Sequence, residues 1–266
     1  MDPLDLELLR DAKRRLTHPG LAMRLAAYLG KPVELGLAHL PARANELVLG
    51  ATRTALEKAL AVAVRSLGDV EGGAPRDVRH RLAVIGTGAA GGFFGLAALP
   101  LELPVTTTLM LRSVADHARS QGEDLSTLEA RLQCLAVFAL GGRARDDDAS
   151  EVGYFAVRLA LARAVSQAAE YLAGRSAAEL ATDAAAPVIA RLIASVAARF
   201  GPAVAEKIAA QAAPVAGALG GAAINTLFIG HYQDMAWGHF TVRRLERRYG
   251  VEVVRRAWDA LPDGGT

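Results

Sequence analysis

The sequence predicts an all-α, multi-helix bundle built around two small-residue, glycine-rich helical hairpins. Three observations carry this prediction. Apolar residues recur three and four apart along most of the chain, the period of a helix buried on one side. Hydrophobic residues make up 52% of the chain but aromatic ones only 5%. The excess is therefore Ala, Leu, Val and Gly, which suits helices that pack closely through small residues. Two stretches, 80–112 and 208–230, are apolar and glycine-rich, and each is interrupted by proline.

With 266 residues the chain is long enough to enclose a real core. A net charge of +2 is too mild for a nucleic-acid binder, so no nucleic-acid partner is expected. The mean hydropathy, +0.22, is high for a protein surrounded by water. Cys134 is the single cysteine; it allows no internal disulfide and fits a reducing compartment. Flanked by Leu132, Leu135 and Val137, it reads as a small core residue. The opening, MDPLDLELLRDAKRR, is acidic and amphipathic and has no secretory apolar region. The expected location is cytoplasmic, or peripheral on the inner face of the cytoplasmic membrane. Residues 1–40 are expected to form an N-terminal helical arm, 41–260 the main helical domain, and 261–266 a flexible tail.

In chain order, Asp2-Pro3 starts a short helix carrying Leu4, Leu8 and Leu9, and His18-Pro19-Gly20 breaks it. A second short helix covers 21–29. Residues 41–67 predict one long helix with Leu47, Ala51, Leu56, Leu60, Val64 and Leu67 on one stripe. The loop GDVEGGAP follows. Residues 82–101 then carry no charge, and about 20 apolar residues span a bilayer core as a helix. Gly88, Gly92 and Gly95 supply close-contact positions. Pro100-Leu-Glu-Leu-Pro104 is expected to interrupt the helix, which resumes over 105–119. The unit is a hairpin with Glu102 at its bend. Its simplest placement is a buried core; re-entrant and two-pass membrane placements are the alternatives.

Beyond a turn at 121–124, Ser126 is expected to cap a helix with Leu128, Leu132, Leu135 and Phe138 inward, ended by Gly141-Gly142. The three aspartates of RARDDDAS lack cation-loop spacing and are expected to cap the following helix. That helix, 151–172, is read with Val152, Phe155, Leu159, Ala162 and Val165 inward and with Tyr154 and Arg158 four apart on its flank, which is read as solvated, with stacking on or hydrogen bonding to a partner as the alternative. A further helical region covers 176–200, and Gly201-Pro202 starts a new segment. The last helix, from about 222 to 249, carries Phe228, Met235, Val242 and Tyr249 every seven residues, a helix–helix seam. Ile224, His231, Gly238 and Leu245 lie beside it. Arg243, Arg244, Arg247, Arg248, Arg255 and Arg256 form a basic end suited to a helix C-terminus or to anionic headgroups. The chain after Trp258 is expected to fray.

Three ordered blocks resemble one family. LAVIGTGAAGGFFGLAALPLELPVTTTLMLRSVADHARSQGEDL, CLAVFALGGR and EKIAAQAAPVAGALGGAAINTLFIGHYQDMAWGHFTVRRLERRYG resemble the EcsC protein family of bacteria over roughly 52–251. The resemblance implies an α-helical, cytoplasmic or membrane-associated protein without an established activity. The family takes its name from a gene beside an ABC-transporter operon and is sometimes labelled peptidase or hydrolase. It brings no active site to carry over.

No catalytic motif supports such a label. A zinc protease needs two histidines four apart with a glutamate on one helix. Here His231 and His239 are eight apart with Asp234 between them, about 12 Å along a helix axis. No metal and no cofactor are expected. G-x-S-x-G is absent, and GTGAAGG lacks the phosphate-binding lysine. A second set, Glu102, Arg112, Asp116, Glu206, Lys207 and Asn225, lies in or at the edge of the apolar runs. Buried charge is costly unless paired, so some of these are expected to pair across the hairpins, with Arg112 and Asp116 joined within one helix. The set reads either as an ion-pair lock or as a polar pocket for a ligand or headgroup. The function expected is that of a membrane-associated helical protein, accessory to an envelope or transport process, with membrane lipid or a membrane protein as partner. A hydrolase with a polar cleft between the hairpins and a soluble protein-interaction scaffold are the alternatives.

Overall fold

Helical periodicity governs the whole described chain. The computed structural model describes residues 1–17, 21–29, 42–67, 99–142, 154–173, 175, 186–211 and 218–262; among them are nine α-helices and no strand. They are α1 (Pro3–Thr17), α2 (Leu21–Leu29), α3 (Ala42–Ser66), α4 (Leu99–Ser120), α5 (Leu128–Leu140), α6 (Tyr154–Ala173), α7 (Pro187–Gln211), α8 (Ala218–Tyr249) and α9 (Val251–Ala260). The GDVEGGAP loop, Gly88, Gly92, Gly95, the triple aspartate, Pro214 and Gly217 lie outside the described residues.

Small residues set the packing. On α3, Ala55, Ala59 and Ala63 are fully buried at four-residue spacing, with Leu56, Leu60 and Leu67 beside them. Leu47 falls at the margin of that face, and Val48 takes the inward place. α3 packs against α4, α5 and α7. A ring cluster of Phe138, Phe200, Phe228 and Tyr232 joins α5, α7 and α8, with centroids 4.9–6.1 Å apart. Cys134 is fully buried within this core, and burial pushes its thiol up to about 12. A smaller cluster gathers Leu9, Ala12, Tyr154, Val242, Leu245, Val254 and Trp258 from α1, α6, α8 and α9.

Several local expectations need correction. Pro100 and Pro104 do not interrupt α4, which runs unbroken through both, so Glu102 stands inside a helix and not at a bend. Near a helix start the N–H groups have few intrahelical acceptors to lose, and Pro104 gives up one bond. Pro187 starts α7, and Gly201-Pro202 lies within that helix. Thr127, not Ser126, caps α5, its hydroxyl accepting from Ala130 N at 3.3 Å. On α6 the inward face is Tyr154, Val157, Leu161, Val165, Ala168 and Leu172. Leu159 is 76% exposed and Ala162 is also outside. An alanine-rich helix offers two apolar faces of similar strength, and the choice falls to tertiary packing.

The N-terminal arm is packed into the bundle. α1 runs antiparallel to α8: Asp5 accepts from Arg248 and from the Tyr249 hydroxyl, while Arg15 reaches Asp234. Gly238 permits this approach, since a Cβ there would stand 2.8 Å from Leu16. Where fraying was expected, the chain from Trp258 to Leu261 is held; residues 263–266 lie outside the described residues. Lys13 Nζ donates to Trp258 O at 3.2 Å and to Leu261 O at 2.7 Å, and Leu261 is buried.

Candidate functional site

The most confined polar group in the described structure lies where α4, α7 and α8 meet. Lys207 is wholly buried by the apolar run that surrounds it on α7, and its Nζ donates to Glu102 Oε1 at 2.7 Å. Asn225 Nδ2 donates to the same oxygen at 3.3 Å. Nζ also faces the Phe228 ring, 5.4 Å from its centroid. Burial pulls the lysine's pKa down, and Glu102 opposes that shift. The Glu102 side chain keeps 6% exposure where Lys207 has none. The structure therefore brings together three of the six residues expected to interact, each from a different helix, with Glu102 105 residues from Lys207 and 123 from Asn225.

The other three go elsewhere. Arg112 donates to Ser66 Oγ at 3.2 Å and does not bridge to Asp116, which pairs with Arg119 at 2.9 Å. The i+3 arginine outcompetes the i+4 one because α3 gives Arg112 an acceptor of its own. Glu206 is half-buried, and its charge adds to the burial that raises the Tyr232 hydroxyl.

The Glu102–Asn225 contact is the first rung of a polar ladder between α4 and α8. Gln233 donates to Ser113 Oγ at 2.9 Å, Arg247 donates to Gln121 O, and just past α4 Glu123 accepts from Arg243 at 2.8 Å and from Arg247. The numbers rise together on both sides, so the two helices run parallel. Inside an apolar bundle, such bonds fix register because sliding would strand each buried group. Those last rungs also occupy the basic end: Arg243 and Arg247 hold Glu123, Arg248 holds Asp5, and Arg255 holds Asp259.

His231, Asp234 and His239 do not converge. His231 Nε2 donates to Gly141 O at 2.7 Å, and burial lowers its pKa to about 4. Asp234 accepts from Arg15 and Arg24, each at 2.7 Å. His239 Nδ1 shares a 2.8 Å hydrogen bond with the Tyr154 hydroxyl, and burial holds it neutral. Among the described residues no group of His, Cys, Asp and Glu is arranged to hold a metal. Sequence reasoning missed the second confined cluster: Arg158 grips Glu246 with both terminal nitrogens, at 2.8 and 2.5 Å, beside Tyr154 and His239. Tyr154 and Arg158 face α8, not solvent. The available signal was Glu246, the one acid in RRLERR.

This fold and its polar ladder span the region that matches the family model described as "EcsC protein family", residues 6–245. The chain belongs to the EcsC protein family. The match to EcsC begins inside α1 and ends near the close of α8, so most of the N-terminal arm and the triad of Glu102, Lys207 and Asn225 fall within it. No curated protein and no solved structure matches the chain.

Proposed function

We propose that this chain is a membrane-associated helical protein, acting on the cytoplasmic side as an accessory to an envelope or transport process, with membrane lipid or a membrane protein as its partner. One observation carries the reading. The charge-free residues 82–101 lead into α4, whose Leu101 and Val105, one turn apart, are 79% and 49% exposed. Exposed apolar side chains continuing an uncharged stretch of bilayer length favour contact with a non-aqueous surface. α7 adds weaker support. It is the one helix among the described residues that is long and apolar enough to cross a membrane, although 44% of that window is buried, as in a core helix. With four of the six C-terminal arginines holding carboxylates, the attraction rests on apolar contact more than on charge.

Flotation with phosphatidylcholine vesicles tests this. The wild-type chain is expected to float with the vesicles at both low and high salt. Leu101→Asp combined with Val105→Asp removes about 2–3 kcal/mol of apolar transfer, on the order of a hundredfold in partitioning. Recovery of all wild-type protein in the unbound fraction overturns the reading.

A further inference from the structure

We propose that the last third of α7, residues 203–211, is a flap hinged at Gly201–Pro202 and latched shut by the Lys207–Glu102 ion pair. Pro202 sits in the sixteenth position of a 25-residue helix, where it removes a backbone bond and weakens the ladder. Gly201 beside it is not dictated by crowding. A Cβ there would meet only Leu49 Cδ2, at 3.9 Å, an ordinary contact. Two residues that disfavour helix thus stand together mid-helix without a packing reason for the glycine.

Beyond this point the segment is held by little apolar area. Its buried side chains are Ala203, Val204, Ile208, Ala209, Ala210 and Lys207, and three of these are single methyl groups. The strong fastening is Lys207, wholly buried, on Glu102 of α4, with Asn225 of α8 donating to the same oxygen. A lysine buried this way either keeps its partner or leaves for water. The flap carries Glu206 and Lys207, the last charges before the uncharged 208–230, so opening it presents an apolar strand of chain to whatever lies alongside. The proposal rests on the membrane reading for its target only; the motion itself is independent of it.

Hydrogen–deuterium exchange on the full chain tests it. Glu102→Gln is expected to speed exchange of 203–211 tenfold or more while 226–249 stays within threefold of wild type. The uncharged pair Glu102→Leu with Lys207→Met returns 203–211 to within threefold. Gly201→Ala slows the same segment at least twofold. If Glu102→Gln does not fold, Asn225→Ala is expected to give the same local pattern at about threefold. A uniform rise along all helices, or unchanged exchange at 203–211, overturns the flap. Adding phosphatidylcholine vesicles to the wild type separates the two readings. Local opening that vesicles leave unaltered, with no flotation, overturns the membrane target and keeps the flap. Flotation without local opening overturns the flap alone.

Discussion

Lys207 is wholly buried in the closed bundle, where its ammonium is held by one carboxylate. Removing one partner of such a pair commonly costs 3–5 kcal/mol, whereas replacing both by apolar groups of similar size is often neutral. With 203–211 able to open and carry Lys207 to water, Glu102→Ala is expected to lower stability in urea unfolding by well under the roughly 3–5 kcal/mol of a trapped charge, and Glu102→Leu with Lys207→Met by less than about 1 kcal/mol. His231 gives a pH signature. Burial lowers its pKa from 6.5 to about 4 in the folded chain, so between those values the unfolded chain binds more protons. Its contribution is complete above pH 6.5 and is lost as pH falls toward 4, by up to about 3 kcal/mol. His239 acts in the same direction. In His231→Gln, whose amide can still reach Gly141 O, the urea midpoint is expected to fall less steeply over that range. The charge pairing was legible in sequence because a carboxylate and an ammonium in apolar runs must find each other. The partition of the six residues was not: Arg112 and Asp116 each had a competitor, Ser66 and Arg119, that spacing alone does not rank.

At the scale of elements, the tightest joint is backbone to backbone. A Cβ on Gly142 would stand 1.9 Å from the Arg199 carbonyl oxygen of α7. Neither side is a flexible side chain, so Gly142→Ala is expected to cost at least about 1–3 kcal/mol of overpacking. Gly238→Ala meets Leu16 Cγ at 2.8 Å and the Ala12 carbonyl oxygen at 3.3 Å, so α1 must shift, and the overpacking offsets the up to about 1 kcal/mol gained in helix propensity. Thermal unfolding should show a loss for both, the larger for Gly142→Ala. Helix existence was readable here, since the 3.6-residue period survives in every element. Helix facing and helix ends were less so. α6 is alanine-rich on both sides, and which side is inner depends on where α5 and α7 lie. The prolines of α4 and α7 look like breaks in a string of letters; whether one breaks a helix depends on its distance from the helix start and on the surrounding packing.

For the molecule as a whole, α1 closes the smaller core, bringing Leu9 and Ala12 against α8 and fastening Leu261 through Lys13. A chain lacking residues 1–17 would uncover this apolar patch. It is expected to unfold at a melting temperature several degrees lower and to self-associate in light scattering, an outcome of marginal stability. The bundle class follows from composition and period; the assignment of partners does not, because almost every decisive contact joins distant parts of the sequence. The parallel lie of α4 and α8 has a consequence for biosynthesis. Parallel neighbours require a long return path, and here Glu102 precedes Asn225 by 123 residues; the antiparallel pair α1 and α8 is wider still, with Asp5 preceding Arg248 by 243. At roughly 5–20 residues per second of translation, α1 waits on the order of ten to fifty seconds for the helix it will lie against. Its seven charges in fifteen residues, Asp5, Glu7, Arg10, Asp11, Lys13, Arg14 and Arg15, are what a nascent segment needs to stay dissolved through that delay.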